Sequence, residues 1–371
     1  MRGKHVIGIL FSNVHDEQIP QLTEKRTIAS VPFGGRYRMI DFPLSNMVNS
    51  GINKVGVITK SNFQSLMDHL GSGKAWDLSR KREGLFLLPP FGDYIQASNS
   101  RVEALASIMR FLASSQQDLV LLSDCDVICN IPYQEVIESH IRNQADITAI
   151  YTHGIIPEHM NKPTVYSFEA DGKLCDMLIH PNITGPCNYG LNMYLIKRTL
   201  LIQLIEDCVS RNMYNFKRDL IQRNMLQYRF YGYKFNGYAK IIGSTKDYFA
   251  ANQDLLNPEI KSQLFLPDRP IYTKVRDDMP ARYGLGSDVN QSLIADGCVI
   301  DGTVQNCILF RGVKISKGAV LKNCVIMQDT NIGVNCNLEH VITDKDVTIQ
   351  DNHTFIGSDT YPVFISKGSA I

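Results

Sequence analysis

A chain of 371 residues, 44% apolar and 20% charged, is longer than a single core usually supports, so a globular protein of two domains is expected. The 38 basic and 37 acidic residues leave a formal net charge of +1, which argues against nucleic acid and membranes as partners and leaves any anionic ligand to be handled locally. Nine cysteines fall without CxxC pairs or regular spacing, which argues against a zinc site or a disulfide framework and for reduced thiols in a cytoplasmic protein.

The first apolar run, Val6 to Phe11, is too short for a signal-peptide core or a membrane span and reads as a strand. The turn after it holds Ser12, Asn13, Val14, His15, Asp16 and Glu17, where a phosphate-binding protein would place glycines and a cation. Strand-length apolar runs recur at 54–59, 118–124, 146–152 and 229–235. Between them, Val102, Leu105, Ala106, Met109 and Leu112 within 101–115, and Val136, Ile137, His140 and Ile141 within 132–143, recur at helical spacing. This alternation predicts an α/β domain over residues 1–256, Rossmann-like and doubly wound, with ligands at the carboxyl ends of its strands.

Pro258, Pro267, Pro270 and Pro280 punctuate residues 257–281, which read as a linker. Over 282–371 helical periodicity disappears. Val320, Ile326, Ile332 and Leu338 recur every sixth residue, with Ile294 and Ile300 at the same step and glycines near the turns. That period predicts a left-handed parallel β-helix of hexapeptide repeats, whose open end invites association with another subunit.

Four stretches carry a more specific likeness: VPFGGRYRMIDFPLSNMVNSGI (31–52), HLGSGKAWDLSR (69–80), LLPPF (87–91) and LFRGVKISKGAVLKNCVIM (309–327). In order and in content they resemble the ADP-glucose pyrophosphorylase (glucose-1-phosphate adenylyltransferase) family over almost the whole chain. The resemblance implies a nucleotidyltransferase domain with a mixed sheet, joined to a left-handed β-helix in a tetramer. It also implies ADP-glucose and pyrophosphate made from ATP and glucose 1-phosphate with Mg²⁺, a reaction in which cations and metal-binding carboxylates carry the catalysis.

Against that pattern the chain departs at three places. Family members read approximately LAGGxGxRLxxLTxxRAKPAVxFGG at the first loop, and here the arginine falls on Gln18 and the lysine on Ile28, while Asp16 and Glu17 add negative charge. Of the two metal aspartates, the first corresponds to Asp126, with Asp124 close by, and the second, in WRDVGT, falls on Ile241 within YAKIIGS; an isoleucine cannot ligate Mg²⁺. The FxEKP sugar-phosphate stretch has become MLIHP, with His180, whose charge is partial near neutrality because its ordinary pKa is about 6.5. Glu103 stands for the aspartate of GTADA, and Arg218 and Asp219 remain within NFKRDLI, where the family has DFGKDII.

No catalytic set is therefore intact: Asp126 is expected to be vestigial, or at most a lone metal ligand. Gly34, Gly35, Glu103, His180, Arg218 and Asp219 are the candidate pocket residues. The family includes a second, diverged subunit in Gram-positive bacteria, which this chain resembles. That implies a regulatory subunit of a heterotetramer in glycogen biosynthesis, with little activity alone and no cofactor of its own, Mg²⁺ residing in the catalytic partner. A sugar phosphate or nucleotide is a possible effector. The alternatives are a self-sufficient adenylyltransferase and, more remotely, a hexapeptide acyltransferase using His340 or His353.

Overall fold

The computed structural model describes residues 3–89 and 100–371; Pro90 and Phe91 of the LLPPF motif lie outside the described residues. At the centre of the N-terminal domain is the strand Val6–Phe11, in which every residue is buried. Burial on both faces is why it reads as a continuous apolar run rather than an alternation. It pairs in parallel with Lys54–Ile58 on one side and Leu119–Asp124 on the other. Gly84–Leu88 extends the parallel half.

The other half is mixed. The long strand Cys187–Lys197 runs antiparallel to Leu119–Asp124 and to Ile147–Gly154, and Thr164–Phe168 with Leu174–Ile179 closes that edge. Phe230–Lys234 pairs in parallel with Ile147–Gly154. The sheet is therefore a mixed one, not the wholly parallel sheet that strand–helix alternation alone implies. Helices cover it: Tyr133–Arg142 buries Tyr133, Val136, Ile137 and His140, close to the expected span. The segment 101–115 forms two helices, Arg101–Ser107 and Met109–Ala113, because Ile108 leaves helical geometry at φ −105° and ψ 15°.

The linker reading needs correction. Pro258 opens a helix, Pro258–Leu264, with the Asn257 side chain accepting from the Glu259 N–H, as a proline at the first helical position can. The irregular chain that follows is fastened to the N-terminal domain. Asn130 Nδ2 donates to the carbonyls of Leu264 and Arg269 at 2.8 Å, and Asn49 Nδ2 to that of Pro270 at 2.9 Å.

The C-terminal domain is a left-handed parallel β-helix whose three faces are each a five-stranded parallel sheet. Ile300, Ile315, Ile332 and Ile349 stack in register on one face. On the next, the inward residue is Leu321 and not Val320, which is half-buried. Asn306, Asn323 and His340 occupy one corner at φ 52°, 51° and 51°, a region where asparagine is tolerated better than most residues. Their side chains form a ladder, Asn306 to Asn323 to His340, each step 3.2 Å. The His353 ring nitrogen faces carbonyls of its own turn, so both histidines are committed to turn structure. No helix among the described residues is long and apolar enough to cross a membrane.

The two domains share a core. Ile28, Phe33, Phe42, Tyr248 and Phe249 from the first pack with Ile308, Phe310, Val325, Met327 and Ile342 from the second. Beside it, Arg26 Nη2 donates to both oxygens of Asp344 at 2.8 Å, with both side chains buried. Removing one member of a buried pair strands the other's charge. Asp344→Asn should therefore cost about 3–5 kcal/mol of unfolding free energy, read from the denaturant midpoint. Arg26→Met in the same chain should recover much of it.

Candidate functional site

Phe11 and Asp124 are register partners at the carboxyl ends of adjacent parallel strands, so the loop 12–18 and the Asp124-Cys125-Asp126 segment emerge side by side. Ser12 Oγ donates to the Ile58 carbonyl at 2.8 Å, and Asn13 Oδ1 accepts from the Lys60 N–H at 2.9 Å. Asp16 turns inward, away from the role expected of it. Its Oδ1 accepts from the Ile28 N–H and its Oδ2 from Asn13 Nδ2, each at 2.7 Å, while burial pushes its pKa up to about 6. Ile28, at the family's lysine position, belongs to the interdomain core, and Glu17 is the acid that lines the neighbouring cavity.

Under the loop lies a cluster of charge. Asp124 and Asp126 are each 1% exposed. His15 Nε2 sits between them, 2.7 Å from Asp124 Oδ2 and 3.3 Å from Asp126 Oδ2. Gln18 Nε2 lies 2.8 Å from His15 Nδ1, so the residue at the family's arginine position fixes the imidazole. Arg101 donates to Asp124 through Nε, at 3.1 Å, and through Nη2. Burial alone would raise the Asp124 carboxyl, but Arg101 and His15 outweigh it and hold the group well below the usual range. Burial wins at Asp126, whose pKa is raised and whose Oδ1 has no hydrogen-bond partner among the described residues.

Asp126 is thus not a lone donor. His15, Asp124 and Asp126 place ligand-capable atoms within 4.8 Å of one another. The set nevertheless does not fit Mg²⁺, which takes oxygen ligands in near-octahedral geometry. One of the three donors is an imidazole, and a guanidinium already holds both oxygens of Asp124. The Ile242 N–H donates to the Asp126 carbonyl at 2.8 Å, and Ile241 beside it is a buried core residue paired with Val127. A second carboxylate is absent where the resemblance would put one.

The remaining candidates do not converge on this site. Gly34 and Gly35, at φ 59° and 82°, form a hairpin turn facing Leu255 and the Leu309 backbone of the β-helix. His180 is exposed at a strand end, its N–H donating to the Pro163 carbonyl. Glu103 is buried in its helix, and it is Arg101 that reaches the carboxylates. Arg218 has a side chain 67% exposed and pairs with Asp219, whose other oxygen accepts from the Asn215 N–H at 2.9 Å. Asn215, Phe216 and Lys217 are the members of that stretch which line the cavity, with Val14, His15, Ser100, Arg101 and Lys162.

His15, Arg101 and Lys217 were therefore missed as functional candidates. The available signal was at Arg101 and Lys217, which put a cation where the family pattern has a threonine and a glycine, whereas at His15 the pattern specifies no residue. If His15 and Arg101 together occupy a metal's place, removing both should create a metal site. His15→Ala/Arg101→Ala should melt several degrees below the unaltered chain and regain part of that loss in millimolar Mn²⁺, through ligand binding to the folded state. The unaltered chain's melting temperature should not respond to Mn²⁺.

Comparison with known proteins agrees with this architecture. The nucleotidyl transferase family model matches residues 17–257, and the GlmU-like C-terminal hexapeptide model matches 278–362. The glycogen biosynthesis protein GlgD of Bacillus subtilis is 35% identical over 99% of this chain and 97% of its own length. That of Geobacillus stearothermophilus is 38% identical over 85% of this chain and 82% of its own. A glucose-1-phosphate adenylyltransferase of Clostridium perfringens is 31% identical over 90% of this chain and 87% of its own. The chain belongs to the ADP-glucose pyrophosphorylase family of glycogen biosynthesis and, within it, to the GlgD type.

Proposed function

We propose that this chain is a regulatory subunit which has little adenylyltransferase activity of its own and associates with a catalytic glucose-1-phosphate adenylyltransferase subunit in a cytoplasmic heterotetramer. The observation that carries this reading is the charge cluster: the carboxylates that would hold Mg²⁺ are already bonded within the protein, Asp124 to Arg101 and His15 and Asp126 to His15. Adenylyl transfer depends on a metal ion and cations at the phosphates. Here the metal's place is taken, and Ile28, Gln18 and Ile241 supply neither charge nor ligand.

A two-subunit arrangement has a second support. Geobacillus stearothermophilus has both a GlgD, 38% identical to this chain, and a glucose-1-phosphate adenylyltransferase, 31% identical over 86% of it. The regulatory effect would be a population shift, with the bound subunit favouring the partner's active conformation.

The test is to assay this chain, a catalytic subunit from the same cell and the co-expressed pair with ATP, glucose 1-phosphate and Mg²⁺, together with native mass. The isolated chain should turn over below about 0.01 s⁻¹, against the roughly 1–10³ s⁻¹ usual for enzymes. The pair should form a mixed tetramer whose kcat or half-saturation differs severalfold from that of the catalytic subunit alone. Turnover above about 1 s⁻¹ by the isolated chain, or a pair unchanged in mass and kinetics, would refute the reading.

A further inference from the structure

The opposite end of the central sheet from the charge cluster holds a second cavity, of about 510 Å³. Leu119, which opens its strand, and Lys197, which closes its own, are register partners there, roughly 16 Å of strand away from Asp124. Leu119, Ile141 and Ala145 give the cavity an apolar wall, and the helix Arg198–Ser210 begins in its rim with Arg198 and Thr199. The first N–H groups of an α-helix have no partner within it, and Lys197, the residue before this one, offers them no side-chain acceptor. Arg198 donates from Nε to the Gln117 carbonyl at 2.6 Å and from Nη1 to that of Leu112 at 3.3 Å. Both acceptors are neutral, and the guanidinium forms no ion pair among the described residues. His140, also in the wall, is 3% exposed. Its Nδ1 lies 2.8 Å from Thr148 Oγ1, but its Nε2 has no hydrogen-bond partner among the described residues, which a buried polar atom normally has.

We propose that this cavity binds a small organic monocarboxylate, its carboxylate held by the first turn of the helix Arg198–Ser210 and the Arg198 guanidinium, its apolar body laid against Leu119, Ile141 and Ala145. The proposal goes beyond the regulatory reading and does not rest on it. An uncapped helix N-terminus favours an anion through its free N–H groups and its dipole, and a guanidinium forms strong charge-assisted hydrogen bonds with a carboxylate.

The charges around the cavity set the valence of the ligand. Lys197, Arg198 and Arg229 line it against Asp118, and Asp146 beside it accepts from Lys197 Nζ at 2.5 Å and from the Arg229 N–H at 2.9 Å. Burial and Lys197 push the His140 pKa down to about 4, so the ring is neutral at pH 7. Three cations against two acids leave one positive charge, borne by the unpaired Arg198. A carboxylate, ionised above about pH 4, matches that charge, whereas a phosphate ester at about −1.5 to −2 exceeds it. The apolar wall selects for a hydrocarbon body, each buried methylene contributing about 0.8 kcal/mol.

Calorimetric titration of the full-length chain at pH 7 tests this, with hexanoate, benzoate, acetate, hexanamide and inorganic phosphate as separate titrants. Hexanoate or benzoate should bind with Kd below about 1 mM. Acetate, which lacks the apolar body, hexanamide, which lacks the charge, and phosphate should each bind at least about tenfold more weakly. Thr199→Glu locates the site: the position is exposed, and an acid in the first turn of a helix stabilises it. The variant should therefore melt no lower than the unaltered chain, while its own carboxylate competes for the N–H groups and weakens binding at least about tenfold. Arg198→Met should weaken it similarly; if that variant melts lower through loss of its carbonyl contacts, Thr199→Glu alone decides. Binding by neither acid overturns the proposal, as does acetate, hexanamide or phosphate binding as tightly as the better acid, or an affinity that Thr199→Glu leaves unchanged. The titration needs no partner subunit and no adenylyl transfer, so its failure would leave the regulatory reading standing.

Discussion

Two carboxylates, Asp124 and Asp126, lie almost entirely out of water at the end of the central strands, and they cannot both be charged there without a cation between them. At about 4 Å and an effective dielectric near 20, like charges repel by roughly 4 kcal/mol before any desolvation cost. An enzyme of this fold can meet that constraint with a metal ion. Here the protein meets it with its own side chains, the His15 imidazole bridging the pair and the Arg101 guanidinium gripping Asp124. The neighbouring replacements follow from that choice. Gln18 sets the imidazole's orientation, and Ile241 packs as core beside a site that no longer needs a second acid.

The same loop reaches from this cluster to the junction between domains. Within residues 15–28 the chain supplies His15 to the carboxylates, Arg26 to the buried pair with Asp344, and Ile28 to the apolar core shared with the β-helix. Asp16, bonded to the Ile28 N–H, ties the two ends together. A position where the family uses a lysine on phosphate has thus become a packing position. The segment that borders the pocket is continuous with the one that sets the domain interface.

Much of the fold was legible because its elements carry unmixed signals. Val6–Phe11 and Leu119–Asp124 are apolar throughout because both faces are buried, and the β-helix announces itself through its six-residue step. The mixed character of the sheet was legible through the family resemblance and not through periodicity. Cys187–Lys197 interrupts its own pattern with a register shift between Gly190 and Met193, where Asn192 adopts φ 57°, and strand direction leaves no mark on periodicity. In the β-helix a one-residue slip was enough to name Val320 in place of Leu321. The losses of charge at Gln18, Ile28 and Ile241 were visible in the sequence. Their compensation was not, because His15, Arg101 and Lys217 come from three distant segments and only folding brings them to one place. Reading position by position against a family pattern for its charged residues detects a missing lysine, but not a basic residue gained where the pattern has none.

The central claim is that protein side chains, those of His15 and Arg101, stand where a metal ion would, and it can be measured without any assay of catalysis. Titration of the unaltered, isolated chain with Mn²⁺, followed by the electron paramagnetic resonance of the free ion, counts bound metal directly. The account predicts no stoichiometric site: free Mn²⁺ should track total Mn²⁺ through the millimolar range at pH 7. Saturable binding of one ion per chain at micromolar Mn²⁺, lost on Asp126→Asn, would contradict it.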